Sequence, residues 1–318
     1  MKILVTGAAG FIGFHVSQAL LARGDDVVGI DSLNDYYDVN LKKARLTELL
    51  GKKGFAFVEK DLADKEAMEA VFKEHKPDKI CHLAAQAGVR YSLENPFAYE
   101  HTNIHGTLVL LEMCRHHGVK DFIYASSSSV YGNNKKVPFA EEDPVDHPIS
   151  LYAASKKTCE LMAYTYHHLF GLNCTGLRFF TVYGPWGRPD MALFKFTKAT
   201  IEGKPIDVYN HGKMKRDFTY IDDITAGVLA ALDKAYPYEI FNLGGDHPVE
   251  LEKYIECIEK AIGRKAKRNN MPMQPGDVPI TMADLTKSRK MLGFDPKTQV
   301  EEGIPKFIDW YKKFYDVK

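Results

Sequence analysis

The beginning of the chain constrains its fold more than any other stretch. A short apolar, β-branched run at Lys2–Thr6 leads into GAAGFIG and then into the amphipathic run FHVSQALLARG. A strand, a glycine turn and a helix in this order start a dinucleotide-binding sheet, in which the turn admits a pyrophosphate and the helix N-terminus attracts it. The spacing is G-x-x-G-x-x-G, and such a trio alone also fits an ordinary tight turn. The flanking strand and helix favour the cofactor site.

The second predicted strand ends at an acidic residue. Asp31 follows Val27–Ile30 and lies eighteen residues beyond Gly13, close to the spacing of about 20 expected for a carboxylate that binds the adenosine ribose 2′-hydroxyl. A helix cap or a turn is the alternative role for this aspartate. A carboxylate at this point repels a 2′-phosphate, so the sequence predicts NAD rather than NADP.

Strands and helices continue to alternate along the chain. The predicted strands are Phe55–Glu59, Ile80–Leu83, Phe122–Ala125 and Cys174–Phe179, and helices are predicted at Asn103–Cys114 and around Tyr152. Such alternation indicates an α/β fold, a Rossmann-like doubly wound parallel sheet with helices on both faces. Ligands bind such sheets at the carboxyl ends of the strands, where small and polar residues follow these runs.

The composition changes after Gly184, where PWGRPDM forms a Pro/Gly-rich loop. We predict a cofactor-binding domain at residues 1–183, to which 217–262 return, and a smaller C-terminal substrate-binding lobe made of 184–216 and 263–318. A chain of 318 residues is long enough for this division.

Composition narrows the class of partner. The formal net charge is zero, which gives no electrostatic reason to expect nucleic acid or an anionic membrane as a partner. The five cysteines are scattered, without C-x-x-C, and the histidines show no metal-ligand spacing. Free thiols in a reducing compartment, no bound metal and no membrane-spanning segment are therefore expected, which favours a cytoplasmic protein.

A tyrosine and a lysine in SLYAASKK carry the candidate chemistry. Tyr152 and Lys156 are four positions apart, so a helix puts both side chains on one face. A nearby ammonium favours the phenolate, and a phenolate is a general base for a substrate hydroxyl. The pair is also common in plain amphipathic helices, so its meaning depends on the cofactor site and on a third polar partner.

Together these motifs resemble the extended short-chain dehydrogenase/reductase family over essentially the full length. The motifs are TGAAGFIG, Asp31, HLAAQAGV, SSSSVYG and YAASK. Four further stretches are similar to the UDP-glucuronic acid 4-epimerases of that family: DYYDVNLKKARL, AGVRYSLENP, RFFTVYGPWGRPDMA and GKMKRDFTYIDDI. The resemblance implies NAD-dependent C4 epimerisation of UDP-glucuronic acid to UDP-galacturonic acid through a 4-keto intermediate. It also implies a homodimer that packs the Asn103 and Tyr152 helices into a four-helix bundle.

The resemblance also implies roles for individual residues. Ser127 joins Tyr152 and Lys156 as the catalytic set. The implied cofactor contacts are Gly7, Gly10, Phe11, Ile12, Gly13, Asp31, Asn34, Asp61, Leu62, Leu83, Ala84, Ala85, Ala87, Asn103, Ser126, Tyr152, Lys156, Phe179 and Val182. The implied substrate contacts are Arg90, Ser127, Ser128, Thr181, Arg188, Tyr209, Arg216 and Asp277.

Within the substrate set, Arg216 is expected on the diphosphate and Tyr209 on the uracil ring. Thr181 and Arg188 are expected near the hexuronic part, with Ser126–Ser128 close to its carboxylate. Gln274 departs from the arginine that many galactose-type enzymes carry there.

Three alternatives stay open on the sequence. Family decarboxylases and dehydratases carry acidic residues after the catalytic serine or threonine, whereas this chain has Ser128 and Ser129, and hydroxyls are poor acid/base groups. An epimerase of neutral UDP-glucose or UDP-N-acetylglucosamine would differ at Thr181 and Arg188. A redox-sensing binding protein without catalysis would be expected to lose Ser127, Tyr152 or Lys156.

Overall fold

The computed structural model describes residues 1–234, 236–273 and 278–317. Its strands are β1 (Lys2–Thr6), β2 (Asp26–Asp31), β3 (Phe55–Glu59), β4 (Lys79–His82), β5 (Asp121–Ser127), β6 (Asn173–Phe179), β7 (Thr181–Tyr183), β8 (Pro205–Tyr209), β9 (Lys215–Tyr220), β10 (Tyr238–Leu243), β11 (Pro248–Glu250) and β12 (Lys267–Met271).

Its α-helices are α1 (Phe11–Arg23), α2 (Val39–Thr47), α3 (Lys65–His75), α4 (Tyr91–Glu94), α5 (Pro96–Tyr99), α6 (Gly106–His117), α7 (Leu151–Phe170), α8 (Ala192–Glu202), α9 (Ile221–Asp233), α10 (Leu251–Ile262), α11 (Thr286–Leu292) and α12 (Val300–Phe314). A π-helical turn, Glu100–His105, leads directly into α6.

A parallel seven-stranded sheet in the order β3-β2-β1-β4-β5-β6-β10 forms the centre of the larger part. The order reverses between β1 and β4, which creates the crevice where doubly wound sheets bind ligands. The predicted Rossmann-like α/β fold is confirmed.

Alternate residues of β1 pack on opposite faces of this sheet, as the two-residue period of a strand requires. Ile3 and Val5 join the cluster that contains Val16 of α1 and also includes α9. Leu4 joins the cluster that contains Leu110 of α6 and includes residues of α3 and α7. Apolar helices on both faces explain why the inner strands are nearly continuous runs of apolar residues.

The smaller part is built around a three-stranded sheet, β11-β9-β7, and the pair β12-β8. Helices α8, α10 and α12 enclose an apolar cluster in which the ring of Phe218 stacks on Tyr254 with centroids 3.9 Å apart. In the predicted returning segment, β10 joins the large sheet and α9 packs on α1, whereas α10 packs on α8 and α12. Among the described residues, no helix is both long enough and apolar enough to cross a bilayer.

Candidate active site

The glycine loop lies where the chain must approach itself closely. Gly7 has φ of 72°, in the left-handed region, and a Cβ atom on it would lie 2.8 Å from the backbone nitrogen of Ala84. A Cβ on Gly13 would lie 2.1 Å from the carbonyl oxygen of Gly7. Gly10 occupies the N-cap of α1, so the first N–H groups of that helix have no side-chain cap and can bind an anion.

The carboxylate of Asp31 is fixed at the end of β2. It accepts hydrogen bonds from the backbone nitrogens of Ala9 at 3.1 Å and Leu33 at 2.9 Å. Burial raises the pKa of Asp31, and the ammonium of Lys42 opposes that rise. Lys42 in turn donates to the backbone and side-chain oxygens of Asn34 at 2.6 and 2.7 Å. An oriented carboxylate beside the glycine loop is what the ribose of a dinucleotide requires.

A cavity of about 530 Å³ runs from this region to the carboxyl end of β5, within the size range of small-molecule sites. The predicted residues that line it are Gly7, Gly10, Phe11, Ile12, Gly13, Asp31, Asn34, Asp61, Leu62, Leu83, Ala84, Ala85, Ala87, Ser126, Ser127, Tyr152, Lys156, Phe179, Val182 and Arg188. The glycine cradle, the open helix N-terminus and the oriented Asp31 fit a dinucleotide such as NAD.

The candidate catalytic side chains Ser127, Tyr152 and Lys156 all line this cavity. Helix α7 begins at Leu151, and Ser150 caps it by accepting a hydrogen bond from the nitrogen of Ala153 at 3.1 Å. Tyr152 and Lys156 therefore lie in the first two turns, on one face. The Lys156 ammonium donates to the carbonyl oxygen of Ala125 in β5 at 2.9 Å, which holds it against the strand that ends at Ser127.

Asn103 is buried behind the cavity rather than in its lining, and it supports the catalytic helix. Its side-chain oxygen accepts from the nitrogen of Gln86 at 2.8 Å, and its amide donates to the hydroxyl of Ser155 at 2.9 Å. Ser155 donates to the carbonyl oxygen of Tyr152 at 2.8 Å. Asn103 makes these bonds from within the π-helical turn, and π-bulges are frequent at functional sites.

A buried ion pair anchors the end of β5. Arg178 donates to both carboxylate oxygens of Glu160, at 2.8 and 2.9 Å. Ser126 also donates to Glu160, at 2.7 Å, so its hydroxyl proton is already engaged within the protein. Tyr131 accepts from Arg178 at 3.0 Å and donates to the side chain of Asn242 at 2.7 Å. The network ties β5, β6, α7 and β10 together beneath Ser127.

A second ion pair includes Arg188 of the cavity wall. Arg188 binds the carboxylate of Asp190 through two guanidinium nitrogens, with the Nε–Oδ1 distance at 3.0 Å. Tyr36 donates to the same carboxylate at 3.2 Å. The Asp190 carboxylate raises the pKa of Arg188, and the Arg188 guanidinium lowers the pKa of Asp190. Both groups are therefore charged at neutral pH.

Other predicted substrate residues lie outside the lining of the large cavity in the part of the chain that the structure describes. Thr181 borders a small adjoining cavity that shares Val182 and Arg188 with the large one. The guanidinium of Arg90 lies 4.7 Å from the ring centre of Tyr209, so these two predicted contacts come together from distant parts of the chain. Ser128 starts a short 3₁₀ turn after β5, and Arg216 lies on β9. Asp277 and Gln274 fall outside the described residues.

Sequence reasoning named the stretch DYYDVNLKKARL for its resemblance but assigned none of its side chains. Tyr36, Tyr37 and Lys42 from this stretch line the cavity. Arg45 is fully buried and donates to the carbonyl oxygens of Ala9 at 2.9 Å and Trp186 at 2.6 Å. A basic residue on a short amphipathic helix looks like a solvated charge in sequence, which is why no pattern identified it.

Comparison with known proteins resolves the family. Residues 3–244 match the model of the NAD dependent epimerase/dehydratase family. The chain belongs to this family. It is 50% identical to UDP-glucuronate 4-epimerase 4 of Arabidopsis thaliana, over 99% of this chain and 76% of that protein.

Solved structures of family members are similar along the whole chain. The UDP-glucuronic acid 4-epimerase of Bacillus cereus, in complex with UDP-glucuronic acid and NAD, superimposes with a TM-score of 0.93 at 37% identity, covering 99% of this chain and 100% of that one. The UDP-glucose 4-epimerase of Thermotoga maritima, with UDP-glucose, superimposes with a TM-score of 0.90 at 34% identity, covering 99% of this chain and 100% of that one. Fold similarity alone therefore does not separate charged from neutral sugars.

Proposed function

We propose that this chain is a UDP-glucuronate 4-epimerase, which interconverts UDP-glucuronic and UDP-galacturonic acid with NAD. The observation that carries the proposal is one cavity lined by the oriented carboxylate of Asp31, the set Ser127, Tyr152 and Lys156, and the guanidinium of Arg188. The full-length similarity to named UDP-glucuronate 4-epimerases supports the same substrate.

The reaction assigns a task to each central side chain. Bound NAD supplies a reversible acceptor for the hydrogen of C4. Tyr152 takes the proton of the sugar 4-hydroxyl and returns it after the keto sugar has rotated in the pocket to present its other face. The adjacent Lys156 ammonium favours the phenolate form of Tyr152 that this transfer requires. Ser127 donates to the reacting oxygen and holds it in line with the base.

The arrangement of residues around the cavity also supports an assignment of the parts of the cofactor and of the substrate to groups of side chains. The glycine loop and the N-terminus of α1 would bind the pyrophosphate, and Asp31 would bind the adenosine ribose. The hydroxyl set of Ser127, Ser128 and Thr181, together with Arg188, would face the hexuronic part, and Arg90, Tyr209 and Arg216 the UDP part. The other predicted contacts that line the cavity keep the roles that the resemblance implies, whereas Asn103 supports the catalytic helix through Ser155.

Hydroxyls in place of acids explain why the carboxylate would be retained. A 4-keto uronate is a β-keto acid and loses CO₂ readily when the bond to its carboxylate lies perpendicular to the carbonyl plane. Hydroxyl donors can fix the carboxylate away from that alignment, whereas a glutamate beside it would repel and desolvate it. Ser128 and Ser129 occupy the positions at which decarboxylases and dehydratases are expected to carry acids.

The experiment that tests the proposal offers three substrates in parallel. The purified protein is incubated with UDP-glucuronate, UDP-glucose and UDP-N-acetylglucosamine, and the C4 configuration is followed by proton NMR, with Tyr152→Phe as the inactive control. We expect UDP-galacturonate to form with little UDP-pentose. Turnover of the neutral sugars alone would reassign the substrate, and UDP-pentose as the main product would make the enzyme a decarboxylase.

We also propose that the chain forms a homodimer through α6 and α7. The outer faces of these helices expose large apolar side chains, including Leu108 at 38%, Leu161 at 57%, Tyr164 at 52% and Leu169 at 60%. Exposed apolar patches of this kind mark interfaces. Light scattering after size exclusion should give twice the chain mass, and Leu161→Glu should shift the protein toward monomer.

The cysteine chemistry supports a cytoplasmic location, which we propose for the same enzyme. All five cysteines are free and buried, as expected for a protein that matures in a reducing compartment. Localisation of a tagged full-length protein in its own cell tests this assignment.

A further inference from the structure

The ion pair at the sugar end of the cavity includes a residue that the proposed reaction has not used. Arg188 lines the cavity beside Tyr36 and Tyr152, whereas Asp190 is outside that lining. The side chains of Arg188 and Asp190 are 23% and 24% exposed, so the pair is partly shielded from solvent. The two-nitrogen contact fixes the plane of the guanidinium and also cancels its charge at this wall.

The third member of the cluster comes from the other part of the fold. Tyr36 follows β2, the strand that ends at Asp31, and its hydroxyl donates to Asp190. The Tyr36 ring packs on Tyr91 with centroids 4.9 Å apart, which steadies it. We call Tyr36, Arg188 and Asp190 the neutral wall, because the cation and the anion bind each other and the third member is a neutral hydroxyl that donates to the anion.

A C4 epimerase sets a particular demand on such a wall. The keto sugar must present both of its faces to the same side of the cofactor, so the ring has to leave one set of contacts and take up another. A carboxylate bound to an uncompensated guanidinium forms short, charge-assisted, two-pronged hydrogen bonds. Such bonds stabilise one orientation of the ring and slow the turn.

We propose that Asp190 is a positioning residue that keeps the wall neutral, so that a hexuronic ring is recognised by Arg188 without being trapped there. The proposal rests on the proposed function, since only a charged sugar that has to turn over needs this compensation. Arg188 then contributes oriented hydrogen-bond donors rather than net charge. A neutral UDP-sugar would not respond to the charge of Asp190.

Removing the charge of Asp190 at constant size tests this idea. Asp190→Asn keeps an oxygen that can accept from Tyr36 but leaves Arg188 uncompensated. With the Arg188 charge no longer compensated, the dissociation constant for UDP-glucuronate should fall about tenfold, and kcat should fall by a similar factor. The dissociation constant for UDP-glucose should stay within about twofold of its value with Asp190 present. Dissociation constants are measured by calorimetry in a Tyr152→Phe background, so that no turnover disturbs them, and kcat is measured by NMR with Tyr152 present.

Controls separate charge from structure. Asp190→Glu keeps an anion at this position. It should therefore have the wild-type kcat and the wild-type ratio of the dissociation constants for UDP-glucuronate and UDP-glucose. Asp190→Ser removes the charge by a second route and should shift that ratio in the same direction as Asp190→Asn. Asp295→Asn, at an exposed carboxylate outside the cavity lining, changes net charge equally and should leave the ratio unchanged.

The outcomes are distinct. Weaker UDP-glucuronate binding in both charge-removing variants, or equal changes for both sugars, would overturn the proposal and make Asp190 a structural residue. Tighter binding with an unchanged kcat would also overturn it, because the ring would then turn over freely. A wild-type protein that fails to epimerise UDP-glucuronate would refute the proposed function instead, and the binding ratio would still report whether Asp190 compensates Arg188.

Discussion

His82 gives a stability prediction whose size follows from its surroundings. The side chain is 3% exposed and lies between two threonines, with Nδ1 2.8 Å from the hydroxyl of Thr6 and Nε2 3.0 Å from that of Thr107. Burial, aided by the positive charge of Lys156, lowers the pKa of His82 from 6.5 to about 3. The folded protein therefore holds this imidazole neutral under conditions that protonate it in the unfolded chain.

The sign and size of the effect of His82 on the free energy of unfolding follow from proton linkage. Because the pKa is lower in the folded state, the contribution is complete above pH 6.5 and is lost as the pH falls toward 3. Between pH 8 and pH 5 the unfolded chain gains the proton and the native protein does not. At about 1.4 kcal/mol per pH unit over the interval from 6.5 to 5, His82 should lower the free energy of unfolding at pH 5 by about 2 kcal/mol relative to pH 8.

The assay compares urea unfolding at pH 8 and pH 5, followed by circular dichroism at constant cofactor concentration, for the wild type and His82→Gln. Other groups titrate in the same interval, since burial lowers the pKa of His15 to about 4 and raises that of Asp217 to about 6. For each protein, the free energy of unfolding at pH 5 is subtracted from that at pH 8. The difference between the wild-type and variant values then cancels the contributions of these other groups. For His82→Gln we expect this difference in the free energy of unfolding to be about 2 kcal/mol, and exposed His147→Gln is the matched substitution at a second histidine. A value near zero for His82→Gln would show that the native imidazole protonates freely.

Four further variants test the site. Asp31→Ala should weaken NAD binding and relax the preference over NADP, measured by cofactor titration; equal wild-type affinities would remove the basis of the assignment. Tyr152→Phe should retain UDP-sugar binding and lose turnover roughly 10²–10⁴-fold, so near-normal kcat would point to another base. Glu160→Gln leaves the Arg178 charge buried without its anion and should destabilise the protein by about 3–5 kcal/mol in urea unfolding; an unchanged stability would show that Arg178 does not depend on this anion. Thr181→Ala should slow epimerisation and raise the UDP-pentose fraction seen by NMR, and an unchanged product ratio would exclude its role in retaining CO₂.

The parts of the fold that the sequence predicts are those governed by local periodicity. The inner strands are short apolar runs with turns and helices between them, and the structure follows these runs to within a few residues at each end, as for β4 at Lys79–His82 against the predicted Ile80–Leu83. The predicted helix at Asn103–Cys114 instead begins as a π-helical turn, and α6 starts at Gly106. The reason is tertiary, because Asn103 bonds to Gln86, seventeen residues earlier.

The candidate site divides in the same way. The four-residue spacing indicated Tyr152 and Lys156, and the resemblance supplied Arg188. It could not supply Asp190 or Tyr36, because their meaning depends on a contact across 154 residues of sequence. Pairings of this kind arise only when the two parts of the chain pack together, and a single sequence carries no trace of them.

The buried guanidinium of Arg45 has a kinetic consequence for the cofactor. It joins the carbonyl oxygen of Ala9, in the glycine loop of the larger part, to that of Trp186, in the loop between β7 and α8 of the smaller part. Opening the protein at this point would leave a buried charge and two carbonyl groups without their partners, which is costly. We therefore expect the dinucleotide to be released far more slowly than each product. The cofactor would then behave as a resident prosthetic group, oxidised and reduced many times by successive substrates before it exchanges with the surrounding solution.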